Sequence, residues 1–206
     1  TLPDTVTELT NYANQKCNGQ DAVTLQTAFA LSCNTAFVEM SEQIGADELR
    51  KYAKAFGVGE NYDLGVSTSG GTLGDLPDGA ATAQSAIGQR DVTMTALQAA
   101  VMAATVANKG TRMQPYLVNR ITDAQMKNVR TTKPKKADQA VNEETAATLT
   151  DLMYASERSS WGYDGNGFAS KTGTAEHGEG LAPHVWYVAF DPERDIAVGV
   201  VVKNGG

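Results

Sequence analysis

The stretch Ile196-Ala197-Val198-Gly199-Val200-Val201-Val202 is apolar throughout apart from one glycine. A run of this kind and length marks a strand covered on both faces. The turn residues Asp191-Pro192-Glu193-Arg194 stand just before it and make it antiparallel to an alternating strand at Val185 to Phe190. A third strand is predicted over Phe168 to Ala175. The chain therefore reads as α+β, an antiparallel sheet flanked by helices on both faces, in one unit over residues 1–206.

Helical periodicity supplies the flanking elements. Ala22 to Gly45 is apolar at helical spacing on both sides of a polar break at Ser32-Cys33-Asn34, with Leu25, Ala28 and Phe29 before it and Phe37, Met40 and Ile44 after it. Asp47 is expected to cap a helix through Phe56, closed by Gly57. Thr95-Ala96-Leu97-Gln98 is a capping box opening an alanine-rich helix to Asn108, ended by Lys109-Gly110. Its small side chains let neighbours approach closely, as a central core helix requires. A strand near Tyr116 to Thr122 and a helix from about Asn142 to Glu157 follow, with Glu143 and Glu144 favouring the helix dipole. Between Gly57 and Gly88, Ser69-Gly70-Gly71 and Pro77-Asp78-Gly79 are turn signals, so this segment reads as a long ordered surface excursion.

Composition excludes several classes. With 206 residues, 41% of them hydrophobic and 20% charged, the chain can build a packed core. A net charge of -7 argues against nucleic acid as a partner, because binding phosphates requires clustered Lys and Arg. The one basic cluster, Lys133 to Lys136, is short, contains Pro134, and reads as a solvated loop. No run approaches the roughly 18 apolar residues that span a bilayer, and Thr1-Leu2-Pro3-Asp4 does not open a signal peptide, so any export signal or anchor is expected outside this chain. No P-loop, zinc or EF-hand spacing occurs, and neither cofactor nor metal is expected. Cys17 and Cys33 fit a disulfide as easily as two unrelated buried thiols.

The chemistry concentrates at Lys171-Thr172-Gly173-Thr174, a polar tetrad inside a strand where mere packing would demand an apolar pattern. Side chains alternate along a strand, so Thr172 and Thr174 share one face and Lys171 takes the other. On an edge strand, the unpaired backbone groups could hold an extended peptide as an added strand, and Gly173 would remove the side chain that blocks its approach. The two hydroxyls could then bracket a carboxylate. Ser32-Cys33-Asn34 places a hydroxyl and a carboxamide together at helix ends; its plainer reading is that Ser32 or Asn34 caps the following helix.

Taken in order with Ile87-Gly88-Gln89, Ser170 to Gly178 and His184 to Phe190, these segments resemble the penicillin-binding proteins, whose motifs are Ser-x-x-Lys, Ser-x-Asn and Lys-Thr-Gly. The similarity spans nearly the whole chain and is strongest to the monofunctional class B enzymes, within them to an actinobacterial subgroup. That resemblance implies a peptidoglycan DD-transpeptidase, which takes the penultimate D-Ala carbonyl of a stem peptide ending in D-Ala-D-Ala. It forms an acyl-serine and passes the acyl group to an amine on a neighbouring stem. Beta-lactam antibiotics are implied ligands, division proteins implied partners, and the extracytoplasmic face of the membrane the implied location. By the same resemblance Ser32 relays a proton beside Lys171, Asn34 hydrogen-bonds the substrate amide, and Thr172 and Thr174 orient its carboxylate. The backbone amide of Thr174 would be one oxyanion donor. Export would favour a Cys17–Cys33 disulfide.

The family's nucleophile is the departure. None of the chain's serines has Lys three residues on, and in the family that motif lies further upstream of Ser-x-Asn than this chain reaches. The resemblance therefore implies that the segment, and a final helix after Lys203, lie outside the sequence, leaving a C-terminal portion that binds without acylating. Cys33 within Ser-x-Asn, where beta-lactamases often carry Asp, favours a penicillin-binding protein over a lactamase. Glu176, His177 and His184 would permit metal or acid–base work, but read more simply as a strand end, a glycine-rich turn at 178–180 and a strand start. The alternatives are a serine beta-lactamase or DD-carboxypeptidase, and a non-catalytic peptidoglycan-binding module that scaffolds the division machinery.

Overall fold

In the computed structural model, which describes residues 2–206 except 4, 7, 12, 13 and 179, a 3-10 turn at Cys17–Gly19 precedes five helices and seven strands. They are α1 (Leu25–Ala30), α2 (Asn34–Ala55), α3 (Gly79–Ala86), α4 (Ala96–Ala107), β1 (Thr111–Met113), β2 (Arg120–Thr122), β3 (Asn128–Thr131), β4 (Lys136–Gln139), α5 (Glu143–Ser159), β5 (Ala169–Ala175), β6 (His184–Asp191) and β7 (Ile196–Val202). Position 179, within the expected glycine-rich turn, lies outside the described residues.

The three C-terminal strands form an antiparallel sheet in the order β5-β6-β7. Lys171 pairs with Val188 and Val188 with Gly199, so these three share a face. On that face the α4 backbone lies directly on β7: a Cβ at Gly199 would stand 2.4 Å from the Ala96 carbonyl oxygen. Small residues in α4 permit this approach, and Ala103 and Val106 close a core with Met153 of α5, Ala169 and Phe190. The capping box forms as read, and buried Gln98 also reaches back to the carbonyls of Gly57 and Gly70.

The double covering expected of β7 is not met among the described residues. Burial alternates along the strand, leaving Ile196, Val198, Val200 and Val202 40–52% exposed. Helix α4 packs on β7 from the Lys171 side alone, which covers only every second residue of the apolar run.

Other expectations are corrected locally. The excursion between Gly57 and Gly88 contains α3, capped by Asp78 Oδ1 accepting from Ala81 N at 2.7 Å and packed on α2 through Ala83 and Val38. As expected, the helix breaks at Gly45, whose backbone is non-helical (φ 75°, ψ 171°), and a second helical segment runs on to Ala55; Asp47 does not cap it, its carboxylate accepting from Arg50 Nη1 at 2.9 Å instead. The strand expected from Tyr116 is only β2, and Lys136 opens β4 instead of lying in a loop. No helix among the described residues is long and apolar enough to cross a membrane.

Candidate active site

Helix α1 ends in a Schellman motif: Cys33 N donates to the Ala28 carbonyl at 2.9 Å and Ser32 N to the Phe29 carbonyl at 3.2 Å. The residue at the left-handed position of such a motif is usually glycine, yet here it is Ser32, with φ 54°. A non-glycine residue in that region is strained, and strain of this kind concentrates at functional sites. The bend projects an exposed hydroxyl from between α1 and α2.

That hydroxyl accepts a hydrogen bond from Lys171 Nζ on β5. The same ammonium donates to the Thr172 carbonyl at 2.8 Å and lies 5.8 Å from the centre of the Phe29 ring. Among the described residues no carboxylate is ion-paired with Lys171. Burial without a counter-ion lowers its pKa to about 8 from the usual lysine value. The site thus holds a positive charge at neutral pH that is close to titrating.

Cys33 is joined to Cys17 in a disulfide with Cα atoms 5.6 Å apart, beside Ala28, and the covalent link lies next to Ser32 in sequence. Neither Ser32 nor Asn34 caps α2. Asn11 does so from outside the helix, its Oδ1 accepting from Thr35 N at 3.0 Å and from the Thr35 hydroxyl at 3.2 Å. The half-buried Asn34 side chain donates from Nδ2 to the Thr10 carbonyl at 3.3 Å, so it is anchored near the turn and not directed to β5 by any hydrogen bond.

Strand β5 has no second neighbour besides β6 among the described residues. Thr172 and Thr174 are exposed on the face opposite Lys171, and a Cβ at Gly173 would meet only Trp186 Cβ, at 3.4 Å. Two side chains reach the open edge: Lys171 bonds the carbonyl of Thr172, and Gln89 Nε2 bonds that of Thr174 at 3.1 Å. In an antiparallel pair a residue sends its N–H and C=O to the same side, so the amides of Thr172 and Thr174 also face the open edge. The peptide N–H of Thr174 therefore points away from β6 on the same side as its carbonyl.

Behind the strand lies a group that the sequence did not disclose. Glu157 of α5 is 5% exposed and accepts from the hydroxyl of Ser170, from Tyr187 at 2.9 Å and from Asn166 Nδ2 at 2.9 Å. Burial pushes its carboxyl up, but the bonds from Ser170, Asn166 and Tyr187 outweigh that and leave its pKa below the usual glutamate range. The carboxylate fixes the residue immediately before Lys171. A buried position in the last turns of a helix gave no sequence signal for this.

His177 and His184 stack with ring centres 3.9 Å apart at the far end of β5 and β6, where His177 Nε2 lies 2.9 Å from both the Ala182 carbonyl and Asn204 Oδ1. Among the described residues, no three His, Cys, Asp or Glu side chains are placed to share a metal ion. Trp161 is wholly exposed and is not part of this cluster.

Residues 3–206 match the family model for the penicillin binding protein transpeptidase domain. The chain is 44% identical to the peptidoglycan D,D-transpeptidase PbpA of Mycolicibacterium smegmatis, with 100% of the chain and 44% of that relative aligned. It is 30% identical to the stage V sporulation protein D of Bacillus subtilis over 84% of the chain and 29% of that protein. Its fold superposes on a penicillin G acyl-enzyme complex of penicillin-binding protein A from M. tuberculosis with a TM-score of 0.94 at 41% identity, covering all of this chain and 48% of that one. The chain spans less than half the length of the relatives it matches most fully. On the matched domain and these similarities, the chain belongs to the penicillin-binding protein transpeptidase family, in its class B branch.

Proposed function

We propose that the chain is the Ser-x-Asn and Lys-Thr-Gly portion of a peptidoglycan DD-transpeptidase, acting on the extracytoplasmic face of the membrane and acylated by beta-lactams. The observation that carries this reading is the contact of Lys171 Nζ with the Ser32 hydroxyl beside the open edge of β5. The stem peptide adds to that edge as an extended segment, its C-terminal carboxylate drawn by the Lys171 charge and oriented by Thr172 and Thr174.

A serine of a Ser-x-x-Lys segment elsewhere in the longer protein attacks the penultimate D-Ala carbonyl as its hydroxyl proton passes to that segment's lysine, and the developing oxyanion is met by the Thr174 N–H. The C–N bond to the terminal D-Ala breaks. Its nitrogen takes a proton through the Ser32 hydroxyl, which is replenished from Lys171. An amine of a neighbouring stem peptide then attacks the acyl-serine, the Ser-x-x-Lys lysine carrying a proton from that nitrogen to the departing serine oxygen, which forms the cross-link and frees the serine hydroxyl. Asn34 holds the amide of the donor peptide, and division proteins are the partners this reading implies.

The test is to incubate the full-length protein and this chain alone with a fluorescent penicillin and read intact mass. A single adduct on the full-length protein, mapped to the Ser-x-x-Lys serine, with none on the chain alone, is expected. A full-length protein that carries its Ser-x-x-Lys and stays unlabelled would sink the reading.

A further inference from the structure

The open edge of β5 is not empty. Gln89 Nε2 donates to the outward carbonyl of Thr174 at 3.1 Å, bridging 85 residues of sequence. A peptide that adds to this edge as a strand needs that carbonyl as an acceptor for one of its own N–H groups. We propose that Gln89 is a positioning residue that occupies the Thr174 carbonyl in the empty protein and yields it to an acyl donor bearing an N–H, so that it discriminates among ligands by whether they replace the bond. This rests on the transpeptidase reading above.

The backbone that carries Gln89 is built to keep it there. α3 ends in a second Schellman motif, with Gly88 N bonded to the Ser85 carbonyl and Gln89 N to the Gln84 carbonyl, each at 3.0 Å. Gly88 takes φ +77°, a conformation at which a side chain would be strained. The next residue is tied as well, Arg90 Nη1 donating to the Asp75 carbonyl at 2.5 Å. Exchange therefore requires only side-chain rotation of Gln89. Its half-buried carboxamide can turn to water, where its hydrogen-bonding groups remain satisfied. A ligand with a suitably placed N–H recovers the Thr174 bond. A ligand without one either leaves Gln89 in place or strands the carbonyl.

Two beta-lactam types separate these cases, a penicillin with an acylamino N–H and a carbapenem, which has none. The second-order acylation rate constant of each is measured on full-length wild type, Gln89→Ala and Gln89→Met. Rate constants are compared instead of label yields, so a partly unfolded preparation does not enter. Removing the competing donor is expected to raise the penicillin constant about three- to tenfold relative to the carbapenem constant, the scale of one net hydrogen bond. Gln89→Met, which keeps the bulk, is expected to match Gln89→Ala. A change shared equally by both ligands, no change, or a selective loss for the penicillin overturns the proposal. If wild type reacts with neither ligand, the functional reading fails before this one is reached.

Discussion

Lys171 Nζ on β5 donates to the hydroxyl of Ser32, 139 residues earlier in the chain at the turn between α1 and α2. One motif is held in a strained turn beside a disulfide, the other in a sheet edge braced from behind by Glu157. Both are positioned by backbone and packing, so the pair does not depend on flexible loops.

The reactivity of the full-length protein toward a carboxylate-bearing beta-lactam should fall as pH rises. Burial places Lys171 near 8, so its charge is present at neutral pH and lost above that value. The attraction for the ligand carboxylate is lost with it. The acylation rate constant, which reports the free enzyme, should show a basic limb near pH 8. A flat profile from pH 7 to 9.5 would remove the charge from the account.

Ser32→Gly and Ser32→Ala should both lower acylation by about a hundredfold or more, the usual contribution of a positioned proton-transfer group. Their stabilities should differ. Glycine accepts φ 54° without strain and alanine does not, so the glycine variant should be more stable by about 1 kcal/mol in denaturant titrations. Equal stabilities would mean that the turn relaxes.

Glu157→Gln should destabilise the full-length protein by about 1–3 kcal/mol at pH 7, because a charged acceptor of three bonds becomes a neutral one. The folded pKa is depressed, so the carboxylate's contribution is complete above the usual glutamate range and is lost as pH falls through the lower folded value. The gap between variant and wild type should therefore narrow on acidification. Urea titrations at pH 7 and pH 3.5 check this, and a constant gap would contradict it.

Replacing Cys17 and Cys33 together by serine should cost about 3 kcal/mol, since the bond closes a loop of 16 residues. It should also slow acylation, because Cys33 N closes the turn that presents Ser32. Thermal melts with and without reductant provide the measurement; coincident wild-type melts would show that the bond is dispensable.

Much of the frame was legible in the sequence, and the reasons differ by residue. The capping box at Thr95 and Gln98 and the alternation of Lys171 against Thr172 and Thr174 are local, so periodicity and hydrogen-bond chemistry sufficed. The approach of Ser32 to Lys171 is not local; only the resemblance to a known family brought the two together. α3 was hidden because Pro77-Asp78-Gly79 reads as a turn, although Asp78 is equally a helix cap. Asn11 as the cap of α2 and Glu157 behind β5 depend on tertiary contacts that no spacing reveals. The apolar run of β7 misled in the other direction, since apolar residues on both faces do not establish that both are covered by these helices.

Whether Ser32 and Lys171 act as one unit is read from a double-mutant cycle on acylation of the full-length protein by a fluorescent penicillin. Ser32→Ala, Lys171→Ala and the double variant are compared by their second-order rate constants. Strong non-additivity is expected, the double variant being scarcely slower than the worse single one. Losses that add in free energy would contradict it and separate the two residues.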